Sequence, residues 1–172
     1  SGDKIITLED QINDPRVLKI SNSGSSNFIV KSYDQNGNYI DLLVNEIGNY
    51  QGTMLINMML GDDPIHRFEV KSGGNWKLEI LPFDIQYMDV LQVPGLYQGQ
   101  GDSVVVITGE PDIVTFTTTE RGNFIVYSYT NERRELLLNE IGPYSGEKIL
   151  PKDLILLTIR KNGAWSMDIT AK

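Results

Sequence analysis

The ten residues Leu43-Val44-Asn45-Glu46-Ile47-Gly48-Asn49-Tyr50-Gln51-Gly52 return as Leu137-Leu138-Asn139-Glu140-Ile141-Gly142-Pro143-Tyr144-Ser145-Gly146, with seven positions identical. The same neighbours flank both stretches in the same order. Asn27-Phe28-Ile29-Val30 precedes the first and Asn123-Phe124-Ile125-Val126 the second, and Trp76 and Trp165 follow them. A match of this kind marks a duplicated module. The spacing between the copies falls from 96 residues at Asn27 and Asn123 to 94 at Asn45 and Asn139 and 89 at Trp76 and Trp165. The losses fall between the shared motifs, where loops are expected. Residues 1–86 and 87–172 are therefore expected to form one module each. Residues 83–99 carry Phe83, Ile85, Tyr87, Met88, Val90, Leu91, Val93, Leu96 and Tyr97, too many apolar side chains for a loose tether. They are expected to be a packed connector.

Within each copy the hydrophobic pattern has the period of a strand. Asn27 to Tyr33 alternates, with Phe28, Val30 and Ser32 toward one face. Asp34-Gln35-Asn36-Gly37-Asn38 then supplies the Asn-Gly pair favoured in tight hairpins. Trp76, Leu78 and Ile80 form a second inward-facing set after the Gly73-Gly74 turn, and Trp165, Met167 and Ile169 answer them in the second copy. Asp10 to Pro15 reads as a loop between two short strands. The apolar run Met54 to Leu60 fits a buried strand or a short helix equally well. Gly48 and Gly142 imply a sharp corner rather than a helix, and Asn45 and Asn139 are expected to cap backbone groups there. About seven short strands per copy, with almost no helical periodicity, predict an all-β chain of two tandem antiparallel β-sandwich, jelly-roll-like modules.

Composition sets the outer limits. The net charge of −8 opposes nucleic acid and anionic lipid surfaces. Arg121, Arg133, Arg134, Arg160 and Lys161 are expected to be solvated charges. No cysteine is present, which removes disulfides, thiolate metal sites and cysteine nucleophiles. No run approaches the ~20 apolar residues of a membrane helix, so no direct membrane insertion is expected. The chain opens Ser1-Gly2 without methionine, as a trimmed chain does, which leaves room for an export signal before it.

The motifs Asn-Phe-Ile-Val, Leu-Leu-x-Asn-Glu-Ile-Gly-x-Tyr-x-Gly and Gly-x-Trp-x-(Leu/Met)-x-Ile together resemble a bacterial β-sandwich module of cyanobacteria and Gram-positive bacteria. That module occurs in lipoproteins and other multidomain surface or secreted proteins. The chain is also similar to the jelly-roll accessory domains that follow secreted peptidases and glycosidases. The resemblance covers nearly the whole chain, twice. It implies a fold and an extracellular or cell-surface setting, and it brings no functional residues with it.

The candidate sites are few. The single histidine, His66, has no counterpart in the second copy and reads as an exposed strand residue rather than a general base. Acidic residues are plentiful, but a module of this size leaves little room for a water-excluding cleft around a carboxylate pair, and no enzyme activity is expected. Asp34, Asn36 and Asn38 place oxygen donors at alternate positions, a weak calcium pattern that the second copy replaces with Thr130-Asn131-Glu132-Arg133-Arg134. No other cofactor is expected. Tyr50 and Tyr144, with Glu46 and Glu140, are the best-placed candidates for ligand contact, because they sit at the glycine-bracketed corners. Trp76 and Trp165 read as core plugs. The chain is thus expected to be a non-enzymatic binding or spacer module of an exported bacterial protein, with a protein or a cell-surface glycan as partner. The alternatives are a carbohydrate-binding or calcium-dependent accessory domain of a secreted hydrolase, and a regulatory protein that docks on a partner by its sheet edge.

Overall fold

The computed structural model describes residues 1–59 and 61–172, and it divides into two compact units, Ser1–Phe83 and Asp84–Lys172. The described residues are all-β, with one short 3-10 turn at Ile85–Tyr87. No helix among them is long and apolar enough to cross a membrane.

The first unit holds seven strands: β1 (Lys4–Ile12), β2 (Arg16–Ser23), β3 (Asn27–Tyr33), β4 (Tyr39–Ile47), β5 (Tyr50–Ile56), β6 (Ile65–Ser72) and β7 (Asn75–Pro82). They make one sheet in the order β1-β6-β3-β4 and another in the order β5-β2-β7. The alternation at Asn27 to Tyr33 is realised in β3, where Phe28, Val30 and Ser32 are buried. Two local expectations differ. β1 runs on through Asp10 and Gln11, because pairing with β6 shifts register between Thr7 and Ile12 and lets the strand absorb the extra residues. The Met54 to Leu60 run begins inside β5, with Met54 and Ile56 buried; Leu60 itself lies outside the described residues.

The second unit repeats this plan and adds to it. Its strands are β8 (Asp89–Gln92), β9 (Gly95–Gln100), β10 (Ser103–Thr108), β11 (Pro111–Thr118), β12 (Asn123–Tyr129), β13 (Arg134–Ile141), β14 (Tyr144–Ile149), β15 (Leu156–Arg160) and β16 (Ala164–Ala171). The sheet orders are β13-β12-β15-β10-β8 and β14-β11-β16-β9. Without β8 and β9 these are the two sheets of the first unit, strand for strand. Residues 89–100, all but the last within the expected 83–99 connector, thus supply an outer strand to each sheet of the second unit. Their apolar side chains serve a core, since Leu91 and Val93 are buried in it.

Each unit has its own buried cluster, drawn from both of its sheets. Leu18, Ile20, Phe28, Val30, Phe68 and Val70 lie at the centre of the first, and Val114, Phe116, Phe124, Val126, Leu157 and Ile159 at the centre of the second. Burial of that kind stabilises by about 1.5–3 kcal/mol per large side chain, before the entropy of ordering is set against it.

Candidate functional site

The repeated signature is the place where the chain leaves one sheet and enters the other. β4 ends at Ile47 and β5 begins at Tyr50; β13 ends at Ile141 and β14 begins at Tyr144. The two residues between must reverse course, and Gly48 (φ 92°) and Gly142 (φ 90°) take a backbone conformation that a side chain would strain. Gly48 N–H donates to the Ser26 carbonyl (3.0 Å), and Gly142 N–H donates to the equivalent Gly122 carbonyl (2.9 Å).

The residues that hold the corner are not those expected. Asn45 and Asn139 are exposed. In the first unit the buried Asn22 donates from Nδ2 to the Gly48 carbonyl (2.8 Å), and the Asn49 side chain accepts from Gly24 N–H (3.2 Å). The Asn22 Oδ1 also accepts from the Ser72 hydroxyl (2.7 Å), tying β2 to β6. Sequence reasoning missed Asn22 because the second copy has Thr118 in its place, whose hydroxyl donates instead to the Ala164 carbonyl (2.8 Å).

Of the four residues expected to meet a ligand, Tyr50 is corrected. It is only 5% exposed, its ring lies 5.8 Å from that of Phe28, and it belongs to the core. β5 begins at the corner, so its first side chain swings inward. Tyr144 is half-buried, edge-on to Phe124 at 6.3 Å, with its ring over Gly146. Glu46 is half-buried and Glu140 exposed, on the last turn-ward residues of β4 and β13. The outward-facing residue shared by both corners is the isoleucine. Ile47 is 74% exposed and Ile141 81%. The sequence carries a signal for it, an isoleucine identical in both copies directly before a glycine.

The structure does bring Asp34, Asn36 and Asn38 together, but with the Asp34 carboxylate already engaged. It accepts from Asn36 N–H (2.8 Å), Asn38 N–H (2.7 Å) and the Asn38 side chain (2.8 Å). These bonds, the Asn38 side chain foremost, hold the Asp34 carboxyl below the usual carboxylate range. Its oxygens brace the turn. Glu69 is held low in the same sense, chiefly by the Tyr33 hydroxyl that donates to it (2.6 Å). Groups with lowered folded pKa values contribute stability that is present above their unfolded values and lost as pH falls through the folded ones. The first unit is therefore expected to lose stability in the acid range below ~4. Asp34→Ala should flatten that acid limb, and calcium should leave the melting temperature of the wild type unchanged. Scanning calorimetry across pH, with calcium and with chelator, checks both; a calcium-dependent rise abolished by Asp34→Ala would establish a cation site instead.

Two further expectations are revised. His66 is half-buried on β6, with its Nδ1 enclosed and without a hydrogen-bond partner. Lys161, expected to be solvated, is 1% exposed: its Nζ donates to the Arg121 carbonyl (2.5 Å) and its backbone N–H to Asp102 Oδ1 (2.7 Å). Its charge is spent inside the unit, satisfying a turn carbonyl.

In comparisons with known proteins, no family model and no curated protein matches the chain.

Proposed function

We propose that the chain is a tandem of two antiparallel β-sandwich, jelly-roll-like modules that acts without catalysis as a recognition or spacer unit of an exported bacterial protein, contacting a protein partner through its two signature corners. Two sheets sharing one buried cluster in each unit support the sandwich reading. The bacterial and cell-surface setting rests on the sequence motifs. The observation that carries the function is the pair of exposed isoleucines, Ile47 and Ile141, held at the same corner of both units by the same glycine geometry. Neither stabilises its own unit by burial, and the fold does not require an apolar residue at either position. Covering each with a partner would be worth about 1.5–3 kcal/mol.

The experiment places a photo-crosslinking residue at Glu46 or Glu140, beside the isoleucines, and follows capture of a stoichiometric partner on intact Gram-positive cells. Capture by the wild-type surface, lost in the Ile47→Asp, Ile141→Asp double variant, is expected. The double variant itself should melt within about 0.5 kcal/mol of the wild type, as surface substitutions do. A glycan array runs in parallel. Glycan binding that survives the double variant would replace this reading with the carbohydrate-binding one.

A further inference from the structure

Each isoleucine corner is one end of a larger surface that the strand register defines. Phe28 and Val30 are buried, so Asn27 and Ile29 face outward from β3. Asn27 lies opposite Ile47, and Ile29 lies between Asn45 on β4 and Lys71 on β6. In the second unit Asn123 lies opposite Ile141, and Ile125 lies between Asn139 on β13 and Arg160 on β15. The two outer faces thus carry the same square of alternating isoleucine and asparagine, with a cation beside it. Four of the five positions are identical, and the fifth keeps its charge.

Neither strand formation nor the core asks for these residues. Asparagine is disfavoured within strands, and Asn27, Asn45, Asn123 and Asn139 are all exposed. Farther along the same two faces the charges are not kept, since Lys31, Arg67 and Glu69 give way to Tyr127, Leu156 and Thr158. Lys71 Nζ pairs with Glu69 (3.3 Å). Thr158 stands at the Glu69 position in the second unit, so that ion pair does not account for a cation in both.

We propose that the square and its cation recognise an extended segment of the protein partner that carries an apolar and an acidic side chain about four residues apart. The isoleucines take the apolar side chain, Lys71 or Arg160 takes the carboxylate, and the asparagine carboxamides, each both donor and acceptor, meet the peptide groups between them. The spacing follows from the sheet. Ile47 and Lys71 stand two strands and two residues apart, roughly 12 Å by strand spacing and rise, which about four residues of an extended chain span. The charge follows from complementarity. A chain of net charge −8 repels acidic segments over most of its surface, yet it places a cation at this one position in both units. One chain holds two such surfaces, and each binds the segment by itself. This inference rests on the reading of the corners as a protein-binding surface and names what that surface selects.

The probe is the capped peptide Gly-Leu-Thr-Ser-Thr-Glu-Gly, titrated into the full chain and followed by backbone amide signals in nuclear magnetic resonance. Saturable shifts are expected at Asn45 and Ile47 and equally at Asn139 and Ile141. The same peptide with lysine in place of glutamate should leave all four signals unmoved, a comparison that leaves the protein untouched. Lys71→Gln and Arg160→Gln should each weaken binding to their own unit about fivefold, the worth of one exposed charge pair, and leave the other unit unchanged. No shift at either surface, shifts of the same size with the lysine peptide, or shifts confined to one unit would overturn the proposal. The crosslinking experiment separates this inference from the reading beneath it. Capture lost in the Ile47→Asp, Ile141→Asp variant but undiminished in a Lys71→Gln, Arg160→Gln variant would overturn the inference and leave the corners as the contact site. Saturable peptide binding without a captured partner would support the inference and remove the cell-surface setting.

Discussion

Replacing Trp165 with alanine is expected to destabilise the second unit by about 3–5 kcal/mol, the cost of removing a large aromatic side chain from a close-packed core. Trp165 is 3% exposed, donates its indole N–H to a carbonyl, and is covered by Tyr97 and by the backbone at Gly99. A β-carbon on Gly99 would lie 2.2 Å from the indole, so that residue is glycine because the ring occupies its side-chain space. Removing the indole therefore opens a cavity and orphans the hold of β9 on β16 together. Trp76→Ala should cost much less, about 1–2 kcal/mol, because the half-exposed indole has less burial to lose. Urea unfolding read by far-ultraviolet circular dichroism, with the remaining tryptophan reporting the other unit, measures both. Equal losses at the two positions would contradict the assignment of β8 and β9 as core-closing strands.

The second large effect is expected at Gly74. A β-carbon there would lie 2.1 Å from the Ser23 carbonyl oxygen and 2.8 Å from the Gly24 α-carbon, both backbone atoms that cannot rotate away. Gly74→Ala must push two turns apart. Those turns are fastened by the Gly74 N–H donating to the Ser72 hydroxyl (3.0 Å) and by the buried Ser72–Asn22 hydrogen bond. Overpacking and loss of a buried polar link together should cost about 2–5 kcal/mol in the first unit. Gly73→Ala is the internal control. Its β-carbon would meet the Ser26 hydroxyl, which can turn aside, so the loss should stay within about 1 kcal/mol. Chemical denaturation of the two variants side by side decides whether backbone approach or glycine content matters here.

Other consequences follow from the same comparison of the copies. The buried polar link of the first unit, Asn22 with Ser72, is replaced in the second by Thr118 and the buried Lys161. Both arrangements satisfy turn carbonyls, by different side chains. Identity between the copies was thus a poor guide to which polar residues hold the corner, since Asn45 and Asn139 are identical and exposed while Asn22 and Thr118 differ and are buried.

The sequence by itself determined the repeated signature, the all-β class and the inward set of β3. These follow from short-range rules: side chains alternate along a strand, and glycine marks the places where the chain must reverse. Tertiary structure alone decided three things. It turned Tyr50 inward and left Ile47 and Ile141 in solvent, because the crossing between sheets, rather than polarity, sets which side chain points out at a corner. It drew Lys161 into the interior, where its Nζ reaches the Arg121 carbonyl across the turn. And it made strands of residues 89–100, one added to each sheet of the second unit, a long-range pairing that no local pattern of alternation encodes.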